Sequence, residues 1–200
     1  MFMNDRLNAA DQLGATVLRA TQLRENCDAQ GQYTAKCFDK DGNLKWEDVI
    51  ENTVMTEGKN LALDTFLAGT SYTVTGPYMG LISSVSYTAI AAGDTAAQIN
   101  GTNGWKEAGS GANFPLYTGN RKTCAWSAAS AGTKSLSAVL SFVIATTGGT
   151  VKGAFIILGG SASNTIASTG GTLYSAGLFA GGDRTLSVGD TVQVSYSTSL

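Results

Sequence analysis

The side chains that could do chemistry in this 200-residue chain are few, and their spacing limits what they can do. Carboxylate-pair hydrolysis needs two acids flanking a cleft, and beyond residue 90 the acids are only Asp94, Glu107, Asp183 and Asp190. Asp183 and Asp190 stand in Gly-Gly-Asp-Arg and Val-Gly-Asp-Thr, turn contexts in which an aspartate ordinarily bonds its own backbone. Asp39, Asp41 and Asn43 resemble the opening of a calcium loop, but Ile50 occupies the twelfth position, where a bidentate glutamate is required. Cys27, Cys37 and Cys124 are odd in number and contain no CxxC pair, so they read as free, partly buried thiols rather than a disulfide framework or a zinc site. Histidine is absent from the chain, which removes Ser-His-Asp and Cys-His nucleophile systems and imidazole acid–base chemistry. Gly148-Gly149 and Gly170-Gly171 match neither GxxxxGK[ST] nor GxGxxG. The expectation is a protein that is not an enzyme and uses no metal and no cofactor.

Charge narrows the partners. A net charge of −2 with 14% charged residues supplies no basic cluster, so direct nucleic-acid binding is not expected. Arg121-Lys122, the nearest basic spot, reads as a solvated strand end. Met1-Phe2-Met3 runs into Asn4-Asp5-Arg6 without an apolar signal region, and no window approaches the roughly 18 apolar residues of a membrane span. A soluble chain made in a cytoplasm, with no membrane partner, is the reading.

The elements that must position these residues are mostly strands. Leu136–Ala145, Val151–Leu158, Thr172–Phe179 and Thr191–Thr198 are separated by glycine-rich turns. Leu136, Ala138, Leu140, Phe142 and Ile144 alternate with polar residues, as do Val192, Val194 and Tyr196. Gln32–Phe38 and Leu44–Met55 predict a hairpin around Asp39–Asn43, with Leu44, Trp46, Ile50 and Val54 on one face. Thr56 is the expected cap of a short helix, 57–68, with Leu63, Phe66 and Leu67 on one side and Gly69 as its stop. Strands are also expected at Tyr78–Val85 and Arg121–Ala128, the latter with Cys124 and Trp126 on one face. Between them lies a long irregular loop, 89–120, which Trp105, Phe114 and Tyr117 should hold down.

Composition marks a boundary. Of 28 charged residues 18 precede residue 65, whereas only 5 of 25 glycines precede residue 70. Residues 4–24 carry Leu7, Ala10, Leu13, Val17 and Leu18 at helical spacing, an apolar stripe that needs a surface to lie on. The expected organisation is a helical arm over residues 1–30 and a β domain over residues 31–200, a β-sandwich or jelly-roll-like body that includes hairpin, short helix and long loop.

Residues Lys36–Asp48 (KCFDKDGNLKWED), Ile50–Asn60 (IENTVMTEGKN) and Tyr78–Ile82 (YMGLI) carry a wider resemblance. Together with Val151-Lys152-Gly153-Ala154-Phe155 and Gly189–Tyr196 (GDTVQVSY), they resemble small virion proteins of tailed bacteriophages and prophages. That resemblance implies a structural component of the particle: a capsid decoration (cement) protein on the capsid surface, or a tail-fibre or baseplate-associated receptor-binding module. A decoration protein would bind the major capsid protein, bridge neighbouring capsomers and, by analogy, form a homotrimer. Synthesis would be in the host cytoplasm. Leu7, Leu13, Val17 and Leu18 in the arm and Trp105 and Phe114 in the loop are the candidate partner-binding residues. No catalytic residues carry over.

Overall fold

The computed structural model describes residues 29–67, 75–99 and 104–199. The fold is mainly β, a single antiparallel sheet curled into a half-barrel, with one α-helix among the described residues. In chain order the elements are β1 (Gln30–Phe38), β2 (Leu44–Val54), α1 (Thr56–Leu67), β3 (Tyr78–Ser83), β4 (Lys106–Glu107), β5 (Leu116–Tyr117) and β6 (Lys122–Thr123). They continue as β7 (Thr133–Ser135), β8 (Leu140–Thr147), β9 (Gly149–Leu158), β10 (Thr172–Phe179), β11 (Arg184–Leu186) and β12 (Thr191–Ser199). The main path across the sheet is β4-β3-β9-β10-β2-β1-β12-β8-β5, with β6 on β3, β11 on β9 and β7 on β12. The hairpin therefore lies mid-sheet, β1 pairing with β12 on one side and β2 on the other.

The hairpin turn is built by Asp39. Its carboxylate accepts from the backbone N–H groups of Asp41 and Asn43, at 2.9 and 2.8 Å, and from Asn43 Nδ2 at 2.9 Å. Gly42 supplies the left-handed backbone, at φ +86°, that the turn requires. Those bonds hold the Asp39 carboxyl below the usual carboxylate range, the Asn43 side chain being the largest cause. The calcium-like string is thus a turn whose first acid already serves its own backbone.

Curling closes on a core. Tyr33, Ala35 and Cys37 from β1, Ile50 from β2, Phe142 and Ile144 from β8, and Val192, Val194 and Tyr196 from β12 meet Met79, Leu81, Ala154 and Ile156 across the interior. Near the mouth, Tyr117 stands edge-on to Phe142 at 5.1 Å, and Lys122 of β6 lies 5.8 and 5.7 Å from the two ring centroids. Burial lowers the Lys122 pKa there. Each such ring or branched side chain contributes about 1.5–3 kcal/mol on burial.

Strands β3, β9 and β10 are buried on both faces, unlike their neighbours. Their second face carries Ile82, Phe155, Ile157, Leu173 and Ala176, covered by Met55, Ala96, Ile99 and Trp105. The expected long loop is this cover. It contains a 3₁₀ turn at Ala96–Gln98 and the short strands β4 and β5, and Trp105 and Tyr117 are both buried within it. Close strand packing explains glycine at Gly153, where a Cβ would collide with the carbonyl oxygen of Gly177. At Gly80, a Cβ would enter the space of the Phe155 ring.

Several sequence expectations shift. Thr56 does not cap the helix: its N–H and hydroxyl both donate to Ala92 O, at 2.9 and 3.0 Å, and the first helical bond runs from Lys59 N to Met55 O. Helix α1 is held near its start, where Gly58 packs on Tyr174 and Leu173 N donates to Glu57 Oε2 at 3.1 Å. Leu63 and Leu67, placed on one side of the helix by their spacing, are exposed. The expected strand over 121–128 reduces to β6 and an isolated bridge from Trp126 to Leu136, because the chain leaves β3 after two pairs. The predicted arm helix (4–24) and the stop at Gly69 lie outside the described residues. No helix among the described residues is long and apolar enough to cross a membrane.

Gly153→Ala should lower stability by about 3 kcal/mol or more, because backbone rather than a flexible side chain blocks the new methyl. Urea unfolding of both proteins measures this, and equal midpoints would contradict the close approach. The thiols give a second check. Burial pushes Cys124 up to about 12, and burial with the nearby Asp190 carboxylate pushes Cys37 up to about 11. Both thiols should resist a thiol reagent at pH 8 in the native protein and react after denaturation. Because their folded values exceed the ordinary thiol value of 9.0, the stability they contribute is complete below pH 9 and is lost as pH rises toward 11–12.

Candidate functional site

Three polar constellations stand out, and each joins segments distant in sequence. The most buried is Glu107 with Arg121, both fully enclosed at the side chain. Arg121 Nε donates to Glu107 Oε1 at 2.8 Å and Nη2 to Oε2 at 2.7 Å, a two-bond fork. The guanidinium also reaches Ser163 O at 3.1 Å and Ser168 O at 2.7 Å. Glu107 Oε2 accepts from Ala167 N at 2.8 Å, and Arg121 N donates to Asn164 O at 2.9 Å. Arg121 is therefore not a solvated strand end. It faces inward over the Phe155 ring, at 5.4 Å, and ties β4 and the start of β6 to the loop 159–171.

Asp48 is the second centre. It sits on the inward face of β2, in line with Trp46 and Ile50, where an acid would be costly alone. Arg184 answers it through Nε at 2.9 Å and Nη2 at 2.5 Å, and Gly181 N adds 3.2 Å contacts to both oxygens. Arg184 also lies 5.4 Å from the Trp46 ring centroid. The third centre is Asp190, whose Oδ2 accepts from Ser187 N at 2.7 Å, the expected turn bond, and from Lys45 Nζ at 2.5 Å. Asp183 behaves differently from its expected turn role and pairs with Lys152 at 2.6 Å. Among the described residues, every buried carboxylate (Asp48, Glu107 and Asp190) is thus engaged by a cation.

The candidate contact residues fall in different places. Leu7, Leu13, Val17 and Leu18 lie outside the described residues. Trp105 is fully buried, its Nε1 donating to Asp94 Oδ2 at 3.0 Å and its ring 5.5 Å from Phe155, so its side chain anchors the loop from within. Phe114 is half-exposed beside Gly149, with its carbonyl accepting from Ser83 Oγ at 2.6 Å. The two loop aromatics do not form one surface.

The surface itself has two parts. Strands β8, β12, β1 and β2 carry their core on one face only. Their outward positions are largely polar, including Ser141, Gln193, Ser195, Thr34, Lys36, Glu47, Glu51 and Thr53. At the border, where the loop layer ends over β10, lies an open groove of about 460 Å³. Its floor pairs Leu178 with Glu51 and Ala176 with Thr53 across β10 and β2, and residues 87–90 form its wall. Sequence reasoning gave none of the groove residues a binding role. The alternation of β2 puts Glu51 and Thr53 outward, but only the loop brings Tyr87 beside them.

Comparison with known proteins yields no matching family model, no matching curated protein and no matching solved structure.

Removing one partner of the Glu107–Arg121 pair should cost about 3–5 kcal/mol, because the other charge stays buried without its counter-ion. Glu107→Gln and Arg121→Met are the variants, with denaturant unfolding as the measurement. The double variant Glu107→Leu/Arg121→Met should recover part of the loss. A single variant as stable as the parent would show that the pair does not hold the loops.

Proposed function

We propose that this chain is a structural virion protein that binds the outside of a phage capsid and stabilises it by bridging neighbouring capsomers. The observation that carries the reading is the use of buried charge. Glu107, Arg121, Asp48, Arg184 and Asp190 all fasten loops or turns to the sheet, so the polar interior serves rigidity. A stiff body with an uncovered polar face suits a subunit added to a shell, which stabilises the assembled state by mass action. The resemblance of residues 36–60 and 189–196 to small virion proteins points the same way. In this reading the curled sheet is a sandwich-like or jelly-roll-like body, with β3, β9 and β10 packed across the core from β12 and β8. The arm, with Leu7, Leu13, Val17 and Leu18, meets the major capsid protein, and the protein acts as a homotrimer at the capsid surface without touching nucleic acid or membrane.

A tail-fibre or baseplate-associated receptor-binding module is the second reading, favoured by the open Ser- and Thr-bearing face and its bordering groove. Copy number separates the two. Purified protein mixed with capsids that lack it should sediment with them saturably, at hundreds of copies per particle, and should raise the temperature of genome release. Deleting residues 1–28 should abolish sedimentation while leaving a folded β domain by circular dichroism. Absence of capsid binding by the full chain, or occupancy of only a few to a few dozen copies, would overturn the decoration reading.

A further inference from the structure

We infer that the groove bordered by β2, β10 and residues 87–90 is a binding subsite for a neutral saccharide. The assignment does not depend on whether the protein sits on a capsid or a tail.

The groove is preformed. Thr88 donates to Gly104 O through both N and Oγ1, at 2.5 and 2.9 Å, and Ala91 N donates to Asp94 Oδ2 at 2.9 Å. Tyr87 is steadied by Lys152, whose Nζ lies 4.7 Å from the ring centroid and is itself paired with Asp183. Bonds of this kind fix the wall before any ligand arrives, which lowers the ordering cost of binding. At about 460 Å³ the volume falls within the roughly 300–1,000 Å³ range of small-ligand sites.

The lining selects the ligand class. Of the lining residues only Glu51 is charged, and the ammonium nearest the wall, Lys152, is already paired with Asp183, so a phosphate or an acidic sugar would meet no unpaired cation there. The floor sets the partly exposed Leu178 of β10 beside the exposed Glu51 and Thr53 of β2. That combination fits a pyranose ring, whose C–H face packs on apolar and aromatic carbon while its rim hydroxyls donate to a carboxylate. A peptide strand is a poor fit, because the floor strands β2 and β10 already pair with each other and leave no edge at the groove to extend. The openness of the groove suits one or two rings within a longer chain.

The test uses the full ¹⁵N-labelled protein titrated with maltotriose, cellotriose, chitotriose and mannotriose to about 10 mM, a range that detects millimolar affinity. At least one should give saturable shifts concentrated at Thr53, Thr88 and Leu178, whereas the acidic sialyllactose should not. Glu51→Gln, an exposed change, should weaken that binding at least about fivefold with an unaltered spectrum elsewhere. Tyr87→Ala should abolish it. Absence of groove shifts with all four sugars, or Glu51→Gln binding as tightly as the parent, would overturn the assignment.

Discussion

The structure depends on one buried ion pair. Glu107 lies in the short strand β4 and Arg121 immediately precedes the short strand β6, both at the margin of the sheet, and the loop 159–171 closes over them. A fork-to-fork contact in an enclosed site stabilises only when the desolvation of both ions is answered by good geometry and further bonds. Here two serine carbonyls and the Ala167 N–H supply those bonds. Segments with little regular secondary structure thereby become a fixed layer over β3 and β9.

That layer explains the asymmetry of the sheet. Strands β3, β9 and β10 read as nearly continuous apolar runs, because the core covers one face and the loops the other. Strands β1, β2 and β12 alternate, because only the interior covers them. The groove is the step between the two regimes. Its wall is the rim of the loop layer and its floor crosses from the covered strand β10 to the open strand β2. The same step gives the molecule a side stiffened by the loop layer and an open, largely polar side.

Much of the sheet was legible in the chain. Thr172–Phe179 begins and ends where its flanking glycines predicted, and the hairpin strands start and stop within two residues of expectation. Both cases rest on local rules: period-two alternation and turns that need a glycine or an aspartate at a particular backbone conformation. The helix was legible as an element but not in its packing, since Leu63 and Leu67 face outward. Trp105 was legible as an anchor of the loop, but not as a residue that Asp94 and Phe155 draw inside and away from any partner surface.

The sequence alone determined the long strands β1, β2, β9, β10 and β12, the turn at Asp39–Asn43 and the lack of any imidazole chemistry, because each follows from residue type and near-neighbour spacing. Tertiary structure decided which charges are internal. Asp48 occupies a core-facing position of β2 and would read as a flaw in the apolar stripe, but Arg184, 136 residues later, neutralises it. Arg121 looked solvated until curling of the sheet set it beside Glu107 and under a loop that begins almost 40 residues further on. Alternation is a property of one strand, whereas the partner of a buried charge is chosen by the closure of the whole sheet, and no local pattern encodes that choice.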